Sequence, residues 1–284
     1  MSALANRPFL KMNGLGNEIV VLDLRGTAVA VSAAEARAIA SAHPYDQMMV
    51  LHDGAGDLDA FMRIYNRDGS EVSSCGNGTR CVAWVLAAET GRNTVRLATS
   101  SGPLEAMVEG ALSVTVDMGQ PRFGWADIPL ATPVDDTAAV PVTHGFAGLP
   151  GSATMVNVGN PHAVFWVDDL AAVDLAEAGP ALERHALFPE RANISLARVT
   201  SRDAMTLRVW ERGAGLTRAC GTAACAAAVA GARTGRTARR VTVTLPGGDL
   251  VIHWRADDHI LMTGPVEHDY AATFDPGIFA EAAA

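Results

Sequence analysis

Lysine is almost missing from this chain: Lys11 is the only one in 284 residues. A pyridoxal Schiff base would have to use that side chain, which falls in an expected strand near the start. Cysteine is scarce as well. Four thiols are too few for a disulfide scaffold and stay reduced in the cytosol, so any cysteine that matters here matters chemically. No stretch approaches the roughly 18 apolar residues of a membrane span, and the first residues hold no signal-peptide core. The expectation is a cytoplasmic protein with no membrane partner. A net charge of −9 offers no grip on phosphates, which argues against nucleic acid and for a small-molecule substrate. Absent too are a P-loop, a G-x-S-x-G elbow, a C-x2-C knuckle, a C-x-x-C redox pair and a G-x-G-x-x-G that opens a helix after a strand. No metal and no organic cofactor is expected.

What remains is the composition of an enzyme-sized globule, 49% hydrophobic and 19% charged, long enough for one or two domains. Apolar and β-branched runs predict strands at residues 9–12, 19–24, 47–51, 58–65, 94–98, 112–117, 163–167, 205–210, 241–245 and 259–262. Helices are expected at 32–41, opened by the capping box of Ser32 and Glu35, at 78–88, at 170–184 with a break at Pro180, and at 222–234. The class is α+β with antiparallel sheet predominating. A stretch from Pro121 to Pro141, rich in Pro, Asp and Thr, is a candidate domain crossover. The alanine-rich tail 279–284 carries no motif.

The strongest signal is an internal repeat. Gly16-Asn17 precedes an apolar run ending at Asp23, and Gly159-Asn160 precedes one ending at Asp168. Arg63-Ile-Tyr-Asn66 leads to Cys75-Gly76, and Arg208-Val-Trp-Glu211 leads to Cys220-Gly221 with the same spacing. The Gly-Asn pairs lie 143 residues apart and the Cys-Gly pairs 145, about half the chain in each case. Two halves diverged from a duplication are expected, residues 1–120 with 266–284 carrying Cys75 and 121–265 carrying Cys220.

Each of these cysteines opens a helical run after a small-residue turn, where unpaired N–H groups favour a thiolate and attract an anion. A free cysteine by itself is more often a buried small hydrophobe, and Cys81 and Cys225, inside the same helices, read that way. The symmetric pair reads differently. Inverting a carbon acid needs a base on one face and an acid on the other, and two thiols supply both without a cofactor. Asn17 and Asn160 taken singly read equally well as turn residues, Glu211 with Arg212 as a surface ion pair, and His162 as structural. Tyr65 and Trp210 are expected in the core.

Lys11-Met-Asn-Gly-Leu-Gly-Asn17, Tyr65-Asn-Arg-Asp-Gly-Ser-Glu71, Cys75-Gly-Asn-Gly-Thr-Arg80, Gly159-Asn-Pro-His162, Arg191-Ala-Asn193 and Glu211-Arg-Gly213 with Cys220-Gly-Thr222 together resemble the diaminopimelate epimerase family, in its order, from about residue 9 to 265. The resemblance implies cofactor-independent interconversion of LL- and meso-2,6-diaminoheptanedioate, on the way to lysine and peptidoglycan precursors. It implies two pseudo-symmetric domains, each a mostly antiparallel sheet wrapped around a central helix, with the active site in the cleft between them and a homodimer as the assembly. Cys75 and Cys220 then match the acid/base pair. Asn17, Gln47, Asn66, Asn160, Asn193 and Arg212 match residues that hold the substrate, His162 and Glu211 the pair that orients the reacting amino group, and Gly76, Asn77, Gly221 and Thr222 the cradle for the reacting carboxylate. Asn13 departs from the family's usual His, and Tyr45 from its commoner Phe. Two rivals stand beside this reading. Proline racemase and hydroxyproline epimerase are similar and use paired cysteines, but have no distal zwitterion to bind; a thiol redox or substrate-binding protein would use the cysteines otherwise.

Overall fold

The computed structural model describes residues 2–280; the last four residues of the alanine-rich tail lie outside the described ones. The chain forms two compact units: Met1–Val116 with Gly264–Ala284, and Asp117–Thr263.

Unit 1 contains β1 (Pro8–Asn13), β2 (Glu18–Asp23), α1 (Ala33–Ala42), β3 (Gln47–His52), β4 (Ala60–Asn66), β5 (Glu71–Val72), α2 (Gly76–Thr90), β6 (Thr94–Thr99), β7 (Gly102–Gly110) and β8 (Ser113–Asp117), whose last residue passes into unit 2. Unit 2 contains β9 (Val140–Pro141), β10 (Ser152–Asn157), β11 (Pro161–Trp166), α3 (Leu175–Glu183), β12 (Asn193–Ser201), β13 (Ala204–Glu211), β14 (Gly215–Leu216), α4 (Gly221–Arg233), β15 (Arg240–Leu245), β16 (Gly248–Trp254) and most of β17 (Ile260–Pro265). The chain then returns to unit 1 as β18 (Glu267–Thr273). There β18 runs antiparallel to β1, and Phe274 stacks on Phe9 with ring centroids 4.4 Å apart.

The repeat read in the sequence is a repeat of topology. In unit 1, β2 and β3 are parallel and joined through α1, β4 returns antiparallel to β3, and β6, after α2, runs parallel to β4. Unit 2 does the same with β11, α3, β12, β13, α4 and β15. The remaining pairings within each unit are antiparallel. Each sheet wraps its central helix. Gly221 and every residue from Ala223 to Gly231 of α4 are buried, which the alanines permit: they favour the helix and let strands approach closely. Cys81 and Cys225 are fully buried in α2 and α4, and burial pushes the Cys81 thiol up to about 12.

Four expectations are corrected. The helix expected at 170–184 begins only at Leu175, capped by the Asp174 side chain on the Ala176 N–H, and it runs through Pro180 to Glu183. Proline there forfeits one backbone bond, and the loss is tolerated because Leu175, Ala178, Gly179 and Leu182 are packed into the core. The stretch from Pro121 to Pro141 is no linker: it lies in unit 2 and sends Ile128, Leu130 and Val140 into the core there. β7, β10, β12 and β16 are strands the pattern did not announce. β18 was missed too, because six of its seven residues are exposed and leave no apolar alternation; pairing with β1 holds it.

Gly179 marks how tightly α3 sits on β13. A Cβ built there meets the Trp210 indole at 2.5 Å, and Trp210 Nε1 is bonded to Glu183 Oε2 at 2.7 Å, so the ring cannot swing clear. Gly179→Ala therefore loses stability by about 1–2 kcal/mol even after its gain in helix propensity. Gly145→Ala, which meets nothing within 4 Å, stays within about 0.5 kcal/mol of the parent. Calorimetric Tm values for the two variants check this; a Gly179→Ala protein melting at or above the parent contradicts it.

Candidate active site

In unit 1 the backbone of Cys75 is extended and caps α2, with Sγ accepting the Gly78 N–H at 3.3 Å. Gln47 begins β3 and Asn66 ends β4, and these two residues face each other in register. Gln47 Nε2 donates to Asn66 Oδ1 at 3.4 Å, while Gln47 Oε1 lies 3.7 Å from Cys75 Sγ. Sheet register thus sets two amides against the sulfur. Asn77 follows in the first turn, buried, beside the loop that carries Asn17: a Cβ at Gly14 would stand 3.1 Å from the Asn77 Cβ. Asn17 Oδ1 and Asn77 Oδ1 are buried acceptors that receive no hydrogen bond. Asn13, the departure from the usual His, closes this loop by accepting the Gly16 N–H at 2.7 Å, where Leu15 and Gly16 have φ of 64° and 79°.

In unit 2 Cys220 caps α4 and is buried. Its Sγ lies 3.4 Å from Thr222 Oγ1, which takes a bond of the same length from Asn160 Nδ2. Asn160 Oδ1 accepts from His162 Nε2 at 2.8 Å. Asn193 Nδ2 donates to the Pro161 carbonyl, and its Oδ1 accepts the Arg212 N–H at 2.9 Å. Arg212 Nη1 reaches the Glu190 carbonyl at 3.1 Å. Glu211 turns the other way, accepting from Thr217 and sharing a hydrogen bond with Cys220, so these neighbours do not form the surface ion pair considered above. The site residues Asn160, His162, Asn193, Glu211, Thr222 and Cys220 are thereby linked into one unit-2 cluster, with Arg212 at its edge.

Which of the two cysteines is the thiolate is left open by the sequence; in the structure Cys220 is held toward the thiol form. Burial raises its pKa well above the ordinary cysteine value and the Glu211 carboxylate raises it further, while Thr222 and the Ala223 N–H act the other way without prevailing. Burial also lifts Glu211. It drives His162 down to about 3, helped by the charge on Arg212.

A cavity of about 340 Å³ in unit 2 is lined by Arg212, Asn160, Gly159, Pro161, Glu190, Arg122, Asp127 and Asn157, among others. Arg122 and Asn157 escaped the sequence reading; they meet through an isolated bridge that no strand pattern signals. A hollow of about 510 Å³ in unit 1, lined by Glu18, Arg37, Asp46 and Arg67 among others, holds none of the candidate residues. Among the described residues no group of three or more His, Cys, Asp or Glu is placed to hold a metal, and no helix is long and apolar enough to cross a membrane.

Two repeated sheets, each around a central helix, make up a fold shared with proline racemase, hydroxyproline epimerase and PhzF-family structures. A hydroxyproline epimerase from Agrobacterium vitis superposes with a TM-score of 0.67 at 15% identity, covering 96% of this chain and 93% of that one. A phenazine biosynthesis protein of the PhzF family from Bacillus anthracis gives 0.68 at 15%, over 94% and 98%. At that identity the likeness is one of fold. Sequence is more specific: the diaminopimelate epimerase family matches residues 9–124 and 154–268. Diaminopimelate epimerases from Rhodopseudomonas palustris strain BisB18 and Bradyrhizobium sp. strain ORS 278 are 55% and 54% identical, each over the full length of both chains. One from Brucella canis is 53% identical over 94% of this chain and 90% of its own. This chain belongs to the diaminopimelate epimerase family, and so to the isomerases.

His162 yields a pH prediction. The unfolded chain binds this proton near pH ~6.5, the folded chain only near 3, so stability is complete above ~6.5 and falls as the pH drops below it. The ring is expected to stay neutral to pH 4 by nitrogen chemical shift. Below pH 6.5 the parent should lose about 1 kcal/mol per pH unit more than His162→Asn in urea unfolding. Parallel stability curves for the two proteins would contradict this.

Proposed function

We propose that the chain interconverts LL- and meso-2,6-diaminoheptanedioate by two-base proton transfer through Cys75 and Cys220. The observation that carries this reading is the duplicated position: each unit puts one cysteine at the N-cap of its buried central helix, beside amides set by sheet register. One sulfur, as thiolate, takes the α-proton; the carbanion's charge spreads into the carboxylate; the other thiol returns a proton to the opposite face. No redox change occurs, and the proton count is restored when the thiols re-equilibrate. Cys220, held as a thiol by burial, supplies the acid in the resting enzyme, which leaves Cys75 as the base.

The backbone at Gly76, Asn77, Gly221 and Thr222 receives the reacting carboxylate, where helix N-termini oppose the charge that builds up. Glu211 and His162 orient the reacting amino group, and the unused acceptor on Asn17 suits an ammonium. Arg212 clamps the distal carboxylate, with Asn17, Gln47, Asn66, Asn160 and Asn193 around the substrate; its place in a cavity with Arg122, Asn157 and Asn160 supports this. The sole lysine is paired with Glu18 at 2.7 Å and bonded to the Pro44 carbonyl, an arrangement unsuited to a Schiff base. Four cysteines outside any disulfide accord with a cytoplasmic site of action. The homodimer carried by the resemblance finds support in exposed apolar side chains of unit 1, Met107, Leu112 and Tyr270. A proline-type substrate would offer Arg212 no distal carboxylate.

Protein treated with EDTA and given no pyridoxal phosphate is expected to wash solvent deuterium into the α-position of both isomers. Cys75→Ala and Cys220→Ala should abolish exchange while meso-diaminopimelate still binds by calorimetry. Arg212→Met should lose roughly 30- to 1000-fold in kcat/KM, the ~2–4 kcal/mol of a charge-assisted contact in a dry site. An Arg212→Met enzyme at parental kcat/KM, or exchange surviving either alanine, would show the roles to be wrongly assigned. Thiol titration after peroxide, with activity unaffected by oxidation, would favour the redox alternative.

A further inference from the structure

Glu183 ends α3 as a buried carboxylate that none of the roles above employs. Both of its oxygens are engaged: Oε2 accepts from Trp210 Nε1 at 2.7 Å and Oε1 accepts the Gly213 N–H at 3.1 Å. Arg191 Nη1 stands 3.6 Å from Oε1, on a side chain that is itself half exposed. Trp210 and Gly213 bracket Glu211 and Arg212. The turn they span lies at the tip of the β13–β14 hairpin, where Trp210 faces Leu216 and Glu211 faces Gly215; beyond that ladder it holds Gly213 and Gly215 at φ of 78° and 85° and a bond from Ala214 N–H to the Glu211 carbonyl. Side chains take the next two amides instead: Asn193 holds the Arg212 N–H and Glu183 holds the Gly213 N–H.

An apolar residue could seal α3 against β13 without the cost of burying a charge, several kcal/mol for a carboxylate before compensation. The carboxylate gives something an apolar residue cannot, two fixed acceptors on either side of Arg212. We infer that Glu183 is a positioning residue for Arg212: it anchors the Trp210–Gly213 turn and so aims the guanidinium at the distal carboxylate. The inference rests on the proposed role of Arg212.

Glu183→Gln keeps the volume but turns an amino group toward one of the two N–H donors, so one anchor is lost. The expected result is a folded protein with KM for LL-diaminopimelate raised about 10-fold and kcat within about threefold, since a misplacement of ~1 Å is worth up to 100-fold. In an Arg212→Met background the same change should add less than about twofold, because there is no guanidinium left to aim. An unchanged KM in Glu183→Gln, or a full effect that persists beside Arg212→Met, overturns the positioning role. If Glu183→Gln melts below the assay temperature, Glu183→Asp, which keeps the charge and draws the oxygens back by one methylene, is judged by the same criteria. An Arg212→Met enzyme at parental kcat/KM overturns the clamp itself and this role with it, whereas a damaged Arg212→Met beside an undamaged Glu183→Gln overturns this role alone.

Discussion

Each unit is organised by a helix that lies out of water along most of its length, and the chemistry follows from what that burial does to its first turn. The opening N–H groups of such a helix have no backbone partners, and a sulfur placed there gains about 0.3–2 kcal/mol as an anion. Desolvation opposes this, and for a fully buried group it reaches 3–5 pKa units, or roughly 4–7 kcal/mol. The larger effect decides. Cys220 is buried with the Glu211 carboxylate beside it and stays protonated; Cys75 is half-buried, with the Gly78 N–H on its sulfur. Duplicated positions have acquired unlike environments, as the proposed reaction, with one acid and one base, requires.

The same divergence distinguishes the two arginines that the repeat makes equivalent, Arg67 and Arg212. Pro44 and Glu190 each stand three residues before an equivalent amide, Gln47 and Asn193. In unit 1 the Pro44 carbonyl is taken by Lys11, whose ammonium also pairs with Glu18. In unit 2 the Glu190 carbonyl anchors Arg212, and Pro161 occupies the place of Glu18. Arg67 is exposed, whereas Arg212 is tethered to a carbonyl whose counterpart in unit 1 is already taken.

The sequence made legible what depends on short-range order. Cysteine after a small-residue turn gives a helix cap, Gly-Asn before an apolar run gives a loop and strand, and spacing repeated over half the chain gives two units of one topology. It hid what depends on tertiary packing. Pro180 looked like a helix breaker because the contacts that hold α3 come from distant segments. β18 had no apolar face to show. The ionisation of Cys220 could not be read because it depends on burial by residues far away in sequence, and nothing near Glu183 in the sequence signals the Trp210 and Gly213 N–H groups on its two oxygens.

The polar network of unit 2 has a direction, and the direction matters more than any one bond. Burial keeps His162 neutral, so one ring nitrogen carries a proton; with Asn160 Nδ2 donating to Thr222, the amide oxygen faces the ring and Nε2 is the donor. Thr222 Oγ1 then receives the amide proton and has its own hydrogen for the Cys220 sulfur 3.4 Å away. The sulfur also shares a hydrogen bond with the Glu211 carboxylate. Cys220 thus lies between a donor suited to its thiolate and an acceptor suited to its thiol. Both protonation states find a partner already in place, and a sulfur so held can give up a proton in one direction of the proposed reaction and accept one in the other without rebuilding its surroundings.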